Sequence, residues 1–333
     1  MINYIYLLIF VLPAIFTGIF TPYFIKLVRK KGITRPDAHK PGNPQVAYLG
    51  GVPLFLGATV GMLVAAVFFS EYWIELLVHY VTILIVFVIG LIDDLKVLKG
   101  EIKTILTVLA ILPIGVGALL FRDKIVLGRP WVPIIGRLRL TIAYWLLLPF
   151  AIAGPANVVN MLDIFNGIMP STTLLIFTAL LVSSTIHGSE TGIILALIWM
   201  GVLVGYIYYN MYPAQIFNGD SGSLMVGTAI GSIALLSHME FIVLIALFPH
   251  LLNGMLILAS FRGFREHREV KERPTTVLGD GRLKANLSPS APTSLTRLIL
   301  LVGGDMREYE IVLAYILIEF VASLLAVITG GFS

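Results

Sequence analysis

The chain has 333 residues, 58% of them hydrophobic and only 13% charged, with a mean hydropathy of +0.94. Soluble chains carry about 25% charged residues, so this composition excludes an ordinary soluble domain and points to a polytopic membrane protein. The absence of cysteine excludes disulfides, thiolate metal sites and cysteine nucleophiles, and the formal net charge of +4 is informative mainly through its distribution.

The start, Met1 to Tyr4, has no basic cluster and runs directly into apolar sequence, which predicts a first span and not a cleaved signal. Apolar runs of about 20 residues predict ten helices, near 3–28, 48–69, 74–91, 104–121, 141–156, 168–185, 191–209, 222–237, 240–261 and 309–329. Backbone groups in hydrocarbon must pair within their own segment, and these runs show no period-two polarity, so helices are expected and a barrel is not. The fold class is an all-α polytopic membrane protein, one domain over 1–333. Its one sizeable soluble piece is a loop at 262–308, rich in Pro, Thr, Ser and charge.

The first connection holds Lys26, Arg29, Lys30, Lys31, Arg35 and Lys40, the third holds Lys96, Lys99 and Lys103, and the ninth holds most of the rest. Of the 23 basic residues, only Arg122, Lys124, Arg129, Arg137 and Arg139 fall on the opposite side, all in one loop. The positive-inside rule then makes the odd-numbered connections cytoplasmic and both termini external. The external loop, punctuated by Gly and Pro between Val126 and Gly136, predicts a small β-hairpin. No internal repeat is visible, which argues against a transporter built from duplicated halves.

Five polar segments lie on the predicted cytoplasmic side, where ionisable groups near hydrocarbon are costly and usually functional. The first is Asp37-Ala-His39-Lys40. The second is Asp93-Asp94 at the end of the third span, with Lys103 placed to return toward it and neutralise a phosphate. Adjacent carboxylates point in different directions from a helix end, so one can face a metal while the other orients a substrate or accepts a proton. A bare Asp-Asp is more often a solvated acidic step.

The third, Asn157-Val-Val-Asn160-Met-Leu-Asp163-Ile-Phe-Asn166-Gly167, spaces amides and a carboxylate by three, which predicts a partly helical stretch with one polar face. Asparagine supplies neutral oxygen ligands and amide donors suited to Mg²⁺, phosphate and a sugar amide; a capped, irregular loop is the plainer reading. The fourth, Asn218-Gly-Asp220-Ser-Gly222, opens the eighth span, where free N–H groups favour an anion, although Asp220 also suits a simple N-cap. The fifth is the basic run with Arg265, His267, Arg268, Lys271 and Arg273, fit for a diphosphate or for anionic lipid headgroups. His79, His187, His238 and His250 show no ligand spacing and read as structural.

In this order, the segments resemble the polyprenyl-phosphate N-acetylhexosamine-1-phosphate transferase family over nearly the whole chain. Asp37-Ala-His-Lys-Pro41 followed by Gly50-Gly51 is similar to its first cytoplasmic loop, and Ile92-Asp93-Asp94 with Lys103 to its second motif. Asn157 to Gly167 resembles the third motif and Phe217 to Leu224 the fourth. Asn166 stands where bacterial branches usually have aspartate. With the arginine-rich ninth loop, in which only His267 replaces a histidine-rich motif, it is similar to the eukaryotic and archaeal dolichol-linked branch.

The resemblance implies transfer of a sugar-1-phosphate from a UDP-N-acetylhexosamine to a polyprenyl or dolichyl phosphate, with UMP released. It implies Mg²⁺, with Mn²⁺ as a substitute, held by Asn160 and Asp220. Asp93, Asp94, Lys103 and Asp163 take catalytic roles. Substrate contacts fall to Asp37, His39, Lys40, Asn157, Asn166, Gly167 and the basic residues Arg265, His267, Arg268, Lys271 and Arg273. A homodimer among membrane lipid is expected, with no nucleic-acid partner. The setting is the cell membrane in a prokaryote or the endoplasmic reticulum in a eukaryote. A transporter or channel with broken helices is the alternative from another class. A CDP-alcohol phosphatidyltransferase is disfavoured because its characteristic helix is missing from the sequence.

Overall fold

Each apolar run becomes a helix for the reason that made it recognisable: a backbone surrounded by aliphatic side chains has only its own carbonyls to bond. The computed structural model describes residues 4–140, 142–261 and 272–331. In chain order the helices are α1 (Tyr4–Lys30), α2 (Gly51–Phe68), α3 (Trp73–Lys96), α4 (Gly100–Leu109) and α5 (Leu112–Leu120). There follow α6 (Ile142–Leu162), α7 (Ile168–Ile186), α8 (Glu190–Asn210) and α9 (Gly219–Ser237). The chain continues through α10 (Glu240–Ala246), α11 (Phe248–Phe261), α12 (Leu295–Gly303) and α13 (Glu308–Gly330). Among the described residues, nine helical stretches are long and apolar enough to cross a membrane, with a tenth if α10 and α11, bent by 67°, form one span.

Two spans are broken, and a proline stands at each break. Pro113 is the second residue of α5 and Pro249 the second of α11. A proline lacks the N–H and its ring crowds the carbonyl four residues back, so the preceding helix ends there.

The expected hairpin forms from β3 (Trp131–Val132) and β4 (Gly136–Arg137). Two further two-stranded hairpins were not anticipated: β1 (Thr34–Pro36) with β2 (Gln45–Ala47), and β5 (Thr275–Val277) with β6 (Leu283–Ala285). Nor was α12, a short helix capped by Ser294, whose hydroxyl accepts from the Arg297 N–H at 3.2 Å. Three predicted spans stop short of the real helices. α3 runs on through Asp93 and Asp94, α6 through Asn157 and Asn160, and α9 begins at Gly219. Hydropathy sees only the apolar part of a helix, so the polar turns that carry the motifs are lost from it.

Helix α9 is the axis of the bundle, the most deeply buried of the spans and packed by α2, α3, α6, α7 and α8. Its stripe of Gly, Ser, Thr and Ala lets neighbouring backbones approach closely. His79 joins three of these helices in the core: the Trp199 indole N–H donates to its Nε2 and its Nδ1 meets Ser232 Oγ, both at 3.0 Å. The start of α9, the end of α3 and the end of α6 therefore arrive at one place.

Candidate active site

The first connection is laid against the start of α9 by main-chain bonds. Ala47 bridges Ile216; the Phe217 N–H reaches the Ala47 carbonyl, and the Gly50 and Gly51 N–H groups reach the Phe217 and Asn218 carbonyls, all three bonds at 2.8 Å. Gly219 then turns into α9 with φ +70°, and a Cβ there would lie 2.5 Å from Asp94 Oδ2. No other residue fits this turn.

Asp94 reaches into that gap from α3. Its Oδ1 accepts from the Asp220 N–H and the Tyr48 hydroxyl, both at 2.7 Å, and its Oδ2 from the Ser221 N–H at 3.1 Å and the Ser221 hydroxyl at 2.6 Å. The first N–H groups of a helix lack intrahelical partners and favour negative charge, so Asp94 caps α9 from another helix. Burial and the Asp94 charge push the Tyr48 phenol well above its ordinary range.

Asp93, one residue earlier, turns a different way. Its Oδ1 accepts from the Leu98 N–H at 2.5 Å and its Oδ2 from Lys103 Nζ at 3.1 Å. The same ammonium meets Asp220 Oδ2 at 2.5 Å. Lys103, from α4, thus sits between carboxylates of α3 and α9.

The end of α6 closes the next side. Asn160 Oδ1 accepts from the Ser223 hydroxyl at 2.7 Å. Just beyond the helix, both Asp163 oxygens accept from Asn218 Nδ2, at 2.9 and 3.0 Å. Burial pushes the Asp163 carboxyl up to about 7, the Asn218 bonds pull against it and the Asp94 charge adds to it. Gly167, at φ +85°, turns the chain into α7, and its N–H is held by Asn210 Oδ1 at 3.1 Å.

The far wall joins the first connection to the last span. Asn166 donates its main-chain N–H to Glu308 Oε1 at 2.7 Å and its side-chain Nδ2 to Asp37 Oδ2 at 3.0 Å. Lys40 pairs with Asp37 and lies 3.5 Å from Glu308 Oε2, its ammonium also over the Tyr212 ring at 4.7 Å. Burial opposes ionisation of Asp37, but the Lys40 and Asn166 hydrogen bonds and the Lys40 charge outweigh it and hold this carboxyl below the ordinary range. The His39 ring rests against Phe165.

Between these walls lies a cavity of about 250 Å³. Of the residues singled out from sequence, Asp37, His39, Asn160, Asp163, Asn166 and Asp220 line it. Asp93, Asp94 and Lys103 stand behind Asp220 and connect to it. Lys40 and Gly167 are one residue removed from the lining and tied to it. Asn157 is directed elsewhere, donating to the Ala153 carbonyl and to Thr107 of α4. Arg273 is exposed, its carbonyl bonded by Asn286, and is not part of the lining. Arg265, His267, Arg268 and Lys271 lie outside the described residues.

Tyr48, Asn210, Phe217, Asn218 and Glu308 also line the cavity without having been singled out. Phe217 and Asn218 belong to the fourth motif and could have been included on that ground. Glu308 offered only the weaker sign of an acid beginning a span.

Among the described residues, no three His, Cys, Asp or Glu side chains converge tightly enough to hold a metal alone. Mg²⁺ is commonly held by one or two carboxylates together with substrate phosphates and water. The hard oxygens of Asp220 and Asn160, beside Asp93, match that donor chemistry, and the Lys103 ammonium already marks the place between Asp93 and Asp220 as favourable to a cation.

A family model described as glycosyl transferase family 4 matches residues 76–238, which contain three of the five segments. The chain is 25% identical to a protein of Saccharolobus solfataricus over 92% of this chain and 91% of that one. It is 26% identical to a protein of Sulfolobus acidocaldarius over 97% and 95%. Both are provisionally named UDP-N-acetylglucosamine–dolichyl-phosphate N-acetylglucosaminephosphotransferase. A phospho-N-acetylmuramoyl-pentapeptide-transferase of Carboxydothermus hydrogenoformans is 30% identical over 67% of this chain and 72% of its own length.

Proposed function

Because the chain belongs to glycosyl transferase family 4, we propose that it transfers N-acetylglucosamine-1-phosphate from UDP-N-acetylglucosamine to dolichyl phosphate. A phosphate oxygen of the lipid attacks the β-phosphorus of the nucleotide sugar. The bond from that phosphorus to the bridging oxygen breaks, UMP leaves with its electron pair, and a lipid-linked diphospho-sugar remains. One phosphoanhydride is broken and one made, so the reaction is reversible and needs no further energy source. The nucleophile is already anionic, so catalysis consists mainly of positioning two anions and screening their repulsion.

The observation that carries this reading is Lys103 held between Asp93 and Asp220 beside a cavity walled by three of the polar segments. Lys103 supplies a cation to a phosphate at that end. Asp220 and Asn160 are the residues we assign to Mg²⁺, which when bound would screen the diphosphate charge. Asp94, through its cap, keeps the Asp220 backbone in place. Asp163, Asn166 and Asp37 then surround the nucleotide and sugar.

The charge asymmetry supports placing this face in the cytoplasm, and we extend the proposal to a homodimer in the cell membrane of a prokaryote or the endoplasmic reticulum of a eukaryote. A transporter would be expected to bind near mid-membrane; here Asp93 and Asp220 stand in the end turns of their helices and Asp163 just beyond one. Undecaprenyl phosphate is the competing acceptor.

The test uses purified protein, Mg²⁺, dolichyl or undecaprenyl phosphate, and UDP-N-acetylglucosamine labelled in its β-phosphate. Label should enter the lipid fraction as unlabelled UMP appears, with dolichyl phosphate the better acceptor. Label recovered as free UDP would mean transfer of the sugar alone and would overturn the mechanism.

A further inference from the structure

Glu308, the first residue of α13, lies outside the five polar segments, yet it is only 3% exposed and lines the cavity. With three other residues it forms a closed circuit. The Glu308 carboxylate takes the Asn166 main-chain N–H, the Asn166 side chain donates to Asp37, Asp37 pairs with Lys40, and Lys40 returns to Glu308. Asn166 is therefore gripped twice, once by its backbone and once by its amide.

The second grip has a chemical consequence. With Nδ2 committed to Asp37, the group that Asn166 retains for a ligand is its carboxamide oxygen, an acceptor. The first grip decides where that oxygen sits. Residue 166 lies in the turn between α6 and α7, where a main chain without regular partners would otherwise be free to shift, and Glu308 reaches it from 142 positions along the chain. A buried acid is costly unless its bonds are needed, and this one's shortest bond is to the cavity wall.

We propose that Glu308 is a positioning residue: it anchors the Asn166 main chain so that the Asn166 carboxamide oxygen meets a hydrogen-bond donor of the nucleotide sugar. The inference rests on the proposed transferase function for the identity of the ligand, but the anchoring itself does not.

Two variants separate the contributions. Glu308→Gln keeps an oxygen for the Asn166 N–H and removes the charge; Glu308→Leu removes both. Stranding a buried donor corresponds to about a tenfold loss in binding. The Leu variant should therefore raise KM for UDP-N-acetylglucosamine and Kd for UMP about tenfold, the Gln variant less, each with little change in kcat. Hydrogen–deuterium exchange of segment 163–168 should quicken in the Leu variant and stay near wild type in Gln. Should the Leu variant not fold, Glu308→Asp, too short to reach, takes its place with the same expectations.

Wild-type KM and wild-type exchange in the Leu or Asp variant would overturn the proposal, as would a fall in kcat with KM unchanged. If the wild type binds no UMP while the exchange difference persists, the transferase reading fails and the anchoring stands.

Discussion

The two ends of the cavity repeat one arrangement, a lysine shared by two carboxylates, with different surroundings. At one end Lys103 is shared by Asp93 and Asp220, with side-chain exposures of 19%, 10% and 24%. At the other Lys40 is shared by Asp37 and Glu308, and both acids are 3% exposed. The first trio joins three helix ends and can be reached by a ligand. The second is closed on itself and holds Asn166. The same three charges can thus meet an incoming anion or brace a wall, and solvent access together with what else the acids bond separates the two uses.

The largest effect expected from this contrast is on turnover at the open end. Asp220→Ala should abolish transfer, a loss on the order of a thousandfold or more, as for other groups that stabilise charge directly in the reaction. The detergent-extracted protein should keep its elution profile and thermal midpoint. Wild-type-like turnover would remove Asp220 from the site.

The closed end should respond in stability. Lys40→Met leaves Asp37 and Glu308 buried without their cation, and breaking a buried pair by removing one partner costs about 3–5 kcal/mol. Lys103→Met, at the more open trio, should cost less stability and more activity. Thermal unfolding and initial rates measured on both variants decide the matter. Equal destabilisation would mean that the two trios do not differ as described.

Adjacent Asp93 and Asp94 sharpen the same point within one dipeptide. Asp94→Asn turns one acceptor into a donor facing N–H groups at the start of α9, and should lower the thermal midpoint by the equivalent of about 1–2 kcal/mol, the worth of a good helix cap. Asp93→Asn should leave the midpoint nearly unchanged and reduce kcat. A reversal of this pattern would exchange the roles assigned to the two residues.

The sequence made the spans legible because bilayer thickness imposes a length and an apolar content, but not the breaks at Pro113 and Pro249, since prolines inside α1 and α6 leave those helices continuous. The motif residues that line the cavity were legible through their chemistry, as Asp37, Asn160, Asp163, Asn166 and Asp220 show. What could not be read was pairing. Asp93 and Asp94 are the same residue, and only the approach of α9 decides which becomes a cap. Lys40 reads as a substrate contact, and only the fold shows Glu308, far along the chain, beside it. Tyr48 earns its place through a carboxylate on another helix, a contact that no local pattern encodes.

The last effect, spread over several pH units, concerns Asp163, between the two trios, where an amide from Asn218 stands in the position a lysine holds at either end. Its carboxyl, pushed up to about 7 by burial, titrates near 4 in the unfolded chain. Below about pH 4 both states are protonated. Between 4 and 7 the unfolded chain has lost this proton and the folded protein keeps it, so the unfolded state binds fewer protons and stability falls as pH rises. Above 7 both are ionised and the slope vanishes. Asp163→Asn cannot titrate and should gain on the wild type by up to about 1.4 kcal/mol per pH unit across that window. The Asn218 bond that it loses is a constant offset, and other titrating groups are common to both proteins. Thermal midpoints of the pair in detergent from pH 4 to 8 should therefore diverge up to neutrality and then run parallel. A difference that does not vary with pH would show that the lone carboxylate is already stabilised as an anion, and that Asn218 matches a lysine in this place.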